Sequence, residues 1–284
     1  MNLKTAQTRI SPASVEMLNV PGLEVAWATH PGRVRGNNED AVAVASLRND
    51  AGVLVIVSDG MGGHAGGEVA SQIVCDRLLM CVDRVEPERS LKQRYEAIEH
   101  ALLDADRLVR ETASVNLSLT GMGATALIAA ITPRTVVHLY AGDSRLYHFR
   151  AGQRLYRTED HSVVEVLRRT GRIQESEMRR HPQRNVLLSC IGGQEERPGV
   201  ELAPRWKEDV AQQEAELTLE AGDVLLLCSD GLNGLVDEQA LAAMVEPAQR
   251  RDAANVVAQL VDAALEAGGT DNITVVLVKV SERS

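Results

Sequence analysis

The chain has 284 residues, a formal charge of −10 and 44% hydrophobic residues, yet only one Phe and two Trp. That length can bury a sizeable core, built here from Leu, Val, Ile and Ala. The acidic balance argues against nucleic acid as the main partner, because phosphate backbones are met by a surplus of Lys and Arg. No apolar run approaches the ~18 residues of a membrane span, and residues 1–22 lack the apolar core of a signal peptide. Cys75, Cys81, Cys190 and Cys228 show no CxxC pairing and are expected to be reduced core residues. The expected address is the cytoplasm, with no membrane partner.

Residues 1–22 carry scattered Ser and Thr without a sustained period, which predicts a flexible extension. Leu23, Val25 and Trp27 alternate with smaller or polar neighbours as in a strand, and His30-Pro31-Gly32 turns the chain into the charge-mixed segment Arg33 to Asp40. Strands follow over Ala41–Ser46 and Val53–Val57; the second runs into Ser58-Asp59-Gly60-Met61-Gly62-Gly63-His64. A carboxylate there leaves a rigid element into a turn whose glycines let backbone approach a ligand. Ala70, Ile73, Val74, Leu78 and Cys81 predict one helix; Tyr95, Ile98, Leu102, Ala105 and Val109 predict a second.

From Gly121 short strand patterns dominate, over Ala124–Ile131, Thr135–Tyr140, Arg145–Phe149 and Arg154–Arg157, and their brief connections favour antiparallel pairing. Ser162-x-x-Glu165 is a capping box for a helix that Gly171 stops. Arg168, Arg169, Arg172, Arg179, Arg180 and Arg184 then form a basic stretch, either a solvated helical face or a flap that meets an anionic substrate. Residues 194–222 are polar loop with one strand. Val224–Cys228 runs into Ser229-Asp230-Gly231, helices follow from Asp237 and around Val256–Leu265, and the last strand spans Ile273–Val278.

Asp59, Asp143, Asp230 and Asp271 thus lie at the ends of predicted strands. Carboxylates are hard ligands suited to Mg²⁺ or Mn²⁺, and no His/Cys cluster has zinc spacing. Gathering such acids without a cation would raise their pKa values and oppose burial. Arg35 could hold phosphate oxygens with its planar fork, and His64 could protonate a leaving alkoxide.

Arg35-Gly-Asn-Asn-Glu39-Asp40, Ser58-Asp-Gly-Met-Gly-Gly-His64, Gly121-Met-Gly-Ala-Thr125, Ala141-Gly-Asp-Ser-Arg145, Ser229-Asp-Gly-Leu232 and Gly269-Thr-Asp-Asn-Ile273 resemble the ordered motifs of the metal-dependent Ser/Thr phosphatases of the protein phosphatase 2C family, in its bacterial form. Each motif is weak alone; in this order, from Leu23 to Val280, they are specific. The resemblance implies an α+β, four-layer αββα sandwich: two antiparallel sheets flanked by helix pairs, with a flap at about residues 161–193 in a catalytic domain over 23–281. It implies two Mn²⁺ or Mg²⁺ ions and a third, weaker one. Asp59 would bridge the first two, the Gly60 carbonyl would bind the second, and Asp230 and Asp271 would complete the first. Glu39 and Asp40 would act through metal-bound waters, Asp143 would serve the third ion, and Asn272 would stand behind the ligands. Arg35, favoured over Arg33 by its five-residue spacing to Asp40, would hold the substrate phosphate while a metal-bridging water attacks. The implied partners are phosphorylated proteins, a bacterial Ser/Thr kinase and its substrates, and a monomer is expected. Ala124 stands where many members have Thr, a packing change.

Other phosphatase chemistries fail on the residues. A cysteine mechanism wants Arg six positions after Cys, where Cys190 is followed by Glu196 with Arg197 one late. An aspartyl-phosphate mechanism wants a strand-end Asp-x-Asp, and Asp104-Ala-Asp106 falls mid-helix. The alternative of another class is a noncatalytic phosphoprotein-binding regulator on the same fold; the complete acid set argues against it.

Overall fold

The structure, a computed structural model, describes residues 3–6, 14–62, 66–193, 200–208, 210–246, 248 and 251–281. In chain order its strands are β1 (Leu3–Ala6), β2 (Glu16–Val20), β3 (Leu23–His30), β4 (Asp40–Ser46), β5 (Val53–Met61), β6 (Gly123–Ala124) and β7 (Ala126–Ile131). They continue as β8 (Thr135–Ala141), β9 (Arg145–Arg150), β10 (Gln153–Arg157), β11 (Ile191–Gly192), β12 (Glu216–Thr218), β13 (Val224–Cys228) and β14 (Ile273–Val280). The helices are α1 (Gly66–Leu79), α2 (Leu91–Val115), α3 (Val163–Arg169), α4 (Glu175–Met178), α5 (Asp230–Asn233), α6 (Glu238–Val245) and α7 (Ala253–Glu266).

Among the described residues these strands form two antiparallel sheets, one ordered β1-β4-β5-β7-β8-β12 with β6 and β11 branching from β5, the other β10-β9-β13-β14-β3-β2. The apolar runs lack clean alternation because both faces of each sheet are covered. In β5, Leu54 and Ile56 pack under α1 and α2, while Val53, Val55 and Val57 meet Trp27, Leu225 and Val276 of the other sheet. On the far side Leu226, Tyr147 and Leu277 pack against Leu241 of α6 and Val257 and Leu260 of α7. The result is the αββα layering that the resemblance implies.

Several local expectations shift. Residues 1–22, expected as a flexible extension, contribute strands at two sheet edges: β1 pairs with β4 and β2 with β3, since both edges offer free backbone donors and acceptors. The strand expected over 53–57 runs on to Met61, because Gly60 and Met61 pair with β6. The strand expected over 124–131 breaks at Thr125, whose backbone N–H turns to the Asp59 carbonyl at 2.8 Å. The turn expected at Ser229-Asp230-Gly231 winds into the short helix α5. Of the basic stretch, Arg168 and Arg169 end α3, Arg172 lies between α3 and α4, and Arg179, Arg180 and Arg184 follow α4, all between β10 and β11 in the chain. All four cysteines are buried and none forms a disulfide.

Candidate active site

Asp40 opens β4 and Asp59 lies near the end of β5, and the two are direct register partners. Like charges placed opposite one another weaken an ordinary strand pair, so the sheet carries a local cost here. Asp40 is 5% exposed, and its Oδ2 accepts hydrogen bonds from Ser229 Oγ and Thr274 Oγ1, both at 2.7 Å. Burial pushes its carboxyl up to about 7, against the pull of those two hydroxyls, with Asp230 and Asp271 adding to the rise. Asp59 is raised well above the usual carboxylate value by burial and then by Asp40, Asp230, Asp143 and Asp271. Its backbone N–H is fixed by Thr125 Oγ1 at 2.9 Å, and Thr125 Oγ1 in turn meets Ser144 Oγ at 2.7 Å, beside Asp143.

Asp230 begins α5. The next residue must be glycine, since a Cβ on Gly231 would lie 1.9 Å from the Asn272 carbonyl oxygen. That close approach presses the Asp230 turn against the Asp271 loop. The Asp230 carboxyl is pushed up to about 6 by burial and by Asp271, while a hydrogen bond with Asp59 pulls the other way. Asp143 is raised by burial, then by Asp230 and Asp160, with Arg145 opposing. It shares with Asp230 the wall of a cavity of about 540 Å³. Asp271 accepts from Arg35 Nη2 at 2.8 Å through Oδ2. Arg33 instead gives its backbone N–H to the Gly269 carbonyl. Of the two candidate arginines, Arg35 is therefore the one aimed at the acids.

The remaining expected residues converge on the same end. Glu39 is raised by burial, with Arg35 opposing and Asp271 and Glu68 adding to it. The Glu39 carbonyl accepts from Gly60 N–H at 3.1 Å and Ser71 Oγ at 2.6 Å. A Cβ on Gly60 would sit 2.1 Å from the Gly67 carbonyl oxygen, so glycine lets the start of α1 press against the end of β5. The Asn272 side chain accepts from Glu39 N–H at 2.8 Å and donates to the carbonyls of Pro31 at 2.9 Å and Asn37 at 2.8 Å. It clamps the loop that carries Arg35. His64 lies outside the described residues.

Among the described residues no three His, Cys, Asp or Glu side chains close into a ready-made cage. An open, oxygen-only set suits a small hard cation that keeps several waters. Asp40 Oδ1 and Asp230 Oδ1 are buried without a hydrogen-bond partner. Buried carboxylate oxygens in that state are costly unless a cation meets them. The donor chemistry and these two orphaned oxygens fit a divalent metal.

Sequence reasoning missed the hydroxyls behind the acids. Thr29 Oγ1 meets Thr274 Oγ1 at 2.9 Å and accepts from Asn38 Nδ2 at 2.8 Å, so one network runs from the Arg35 loop through Thr274 to Asp40. Ser229 and Thr274 did carry a signal, being polar residues inside or beside runs otherwise apolar.

An αββα sandwich with crowded, partly buried acids and an arginine at its end defines a class of acidic, metal-type centre. The pattern of the protein phosphatase 2C family matches residues 33–266, and the chain belongs to that family. It is 35% identical over 260 residues to the serine/threonine protein phosphatase PstP of Mycobacterium tuberculosis, covering 91% of this chain and 45% of PstP, so it spans about half the length of that relative. It is 32% identical over 254 residues to the serine/threonine phosphatase stp of Listeria innocua, covering 89% of this chain and 94% of that protein. The crystal structure of the PstP catalytic domain, in complex with two manganese ions, superposes with a TM-score of 0.71 at 29% identity, covering 92% of this chain and 99% of that one.

Proposed function

We propose that this chain is a metal-dependent protein Ser/Thr phosphatase that hydrolyses phosphoserine and phosphothreonine. The observation that carries the reading is the crowding of Asp40, Asp59, Asp230 and Asp271 at one end of the sandwich, with Asp40 Oδ1 and Asp230 Oδ1 left without donors. Asp59, the Gly60 carbonyl, Asp230 and Asp271 would hold two Mn²⁺ or Mg²⁺ ions, with Glu39 and Asp40 supporting them, and Asp143 would serve a third. Such ions acidify water and neutralise phosphoryl oxygens. The chain's own part is orientation. Arg35, half exposed beside Asp271, offers a planar pair of N–H donors to the substrate phosphate. Asn272 holds the backbone on which Arg35 and Glu39 sit, so the guanidinium meets the phosphate in a fixed place. His64, four residues after Gly60, is assigned the proton for the leaving hydroxyl.

The substrates are phosphorylated proteins, with a Ser/Thr kinase as the opposing partner. Among the described residues no helix is long and apolar enough to cross a membrane, and the proposed setting is the cytoplasm, with the chain acting as a monomer. The test is phosphate release from a phosphothreonine peptide with Mn²⁺ and then with excess EDTA. Turnover lost on chelation and in Asp59→Asn is expected. A protein that binds metal and phosphopeptide yet releases no phosphate would be the noncatalytic regulator instead.

A further inference from the structure

One flap side chain, Arg179, hydrogen-bonds to the backbone around the Asp230 turn. Met178, the last residue of α4, is buried, and Arg179 follows it. Arg179 Nη2 donates to the carbonyl oxygens of Asn233 at 3.1 Å and Val236 at 2.9 Å. Asn233 ends α5, the helical turn that Asp230 begins. The last carbonyls of a helix lack intrahelical donors, and a cation is favoured there. The flap therefore caps, from outside, the turn that carries one of the cleft acids.

Of the other flap arginines, Arg184 is exposed and lines the same cavity as Arg179 and Asp230, and the rest are engaged elsewhere or exposed. Arg168 donates to Glu165 within its own helix, Arg169 pairs with Glu159 at 3.3 Å, and Arg172 and Arg180 are exposed. Between the flap and α5–α6 lies the cavity of about 540 Å³, with Val164, Met178 and Val236 in its wall beside Asp143 and Asp230. A phosphoryl group reaching Asp230 has this cavity at its side. A small aryl phosphate need not fill it, whereas the residues flanking a phosphothreonine in a polypeptide must pass it.

We infer that Arg179 is a positioning residue: by registering the flap on the Asp230 turn it sets the width of the cavity that receives the polypeptide around the phosphoresidue. This rests on the phosphatase reading. Arg179 acts through flap placement, so its signature is dependence on substrate size rather than a general loss of turnover.

The experiment compares wild type, Arg179→Ala, Arg179→Lys and the control Arg172→Ala, each as the full chain loaded with Mn²⁺. Two charge-assisted hydrogen bonds are lost in Arg179→Ala, so KM for a phosphothreonine peptide is expected to rise about five- to tenfold with kcat within about twofold. Kinetics on para-nitrophenyl phosphate should stay within about twofold. Arg179→Lys should recover part of the peptide KM, and Arg172→Ala should match wild type. Protease nicking within residues 170–188 should be faster in Arg179→Ala than in wild type. An unchanged peptide KM, or equal loss on both substrates, overturns the inference. If wild type itself released no phosphate, the phosphatase reading would fall, and nicking alone would decide the latch: unchanged nicking in Arg179→Ala would overturn it too.

Discussion

The two ends of β13 each carry an aspartate, fully buried at one and half-buried at the other, and the protein treats them in opposite ways. Asp223, just before the strand, is fully buried, yet it accepts from Arg150 Nε at 2.7 Å and Nη2 at 2.9 Å, from the Glu220 N–H at 2.9 Å, and it meets His148 Nε2 at 2.8 Å. Burial alone would raise its carboxyl, but Arg150, the Glu220 N–H and His148 together hold it below the ordinary value. Asp230, just after the strand, has Asp59 and Asp271 as neighbours and one oxygen with no partner, and its carboxyl is pushed up to about 6. A buried acid that the chain neutralises itself is structural; one that it leaves crowded with other acids awaits an external cation. Residue type and strand-end position are the same at both, so the surrounding donors make the distinction.

The comparison can be broken from either side. The largest effect should come from Asp59→Asn, with phosphopeptide turnover falling by at least about a thousandfold while the melting temperature without metal stays level or rises, because a like charge has gone. Steady-state kinetics and a thermal melt in EDTA check it; normal turnover would remove Asp59 from the site. At the other end, Asp223→Asn breaks a buried ion pair and should cost about 3–5 kcal/mol in stability, read by urea unfolding, while activity per folded molecule is kept. Equal losses of activity in the two variants would erase the contrast. Smaller again is the effect of metal. Mn²⁺ at about 100 times its Kd should stabilise the wild type by roughly 2.7 kcal/mol, reversed by EDTA, with most of that gain absent in Asp230→Asn and retained in Asp223→Asn.

The layers and the acids were legible because both depend on short-range pattern. Unbroken runs such as Val53–Val57 and Val224–Cys228 mark strands covered on both faces, and a Ser-Asp-Gly after each marks where chain leaves the sheet. What was not legible depended on pairs far apart in sequence. Nothing near Asp40 announces that Ser229 and Thr274, at the other sheet's end, supply its hydroxyl donors. The run of β5 through Asp59 to Met61 is fixed by β6, a two-residue partner with no period of its own. Residues 3–6 and 16–20 become strands because neighbouring edges accept them. His138 and His148, which sequence leaves alike within strand patterns, meet different fates inside.

That pair of histidines sharpens the comparison at its smallest scale. His148 is buried against the Asp223 carboxylate, whereas His138, fully buried in β8, meets the Tyr156 hydroxyl at 2.9 Å and the rings of Tyr156 and Tyr140, with no acid against it among the described residues. Burial pushes the His138 imidazole down to about 4, with the Ala215 backbone pulling weakly the other way. The unfolded chain takes up this proton below about 6.5, but the folded chain does not until about 4. Between those values the unfolded state binds more protons, so stability rises with pH; the contribution is complete above 6.5 and is lost as pH falls towards 4. His138→Gln keeps a polar partner for Tyr156 and cannot titrate. In thermal melts at pH 7.5 and pH 5, the variant is expected to lose less stability between the two than wild type does. Equal losses would mean that His138 is protonated at little cost where it lies, and that burial without an acid partner does not separate it from His148.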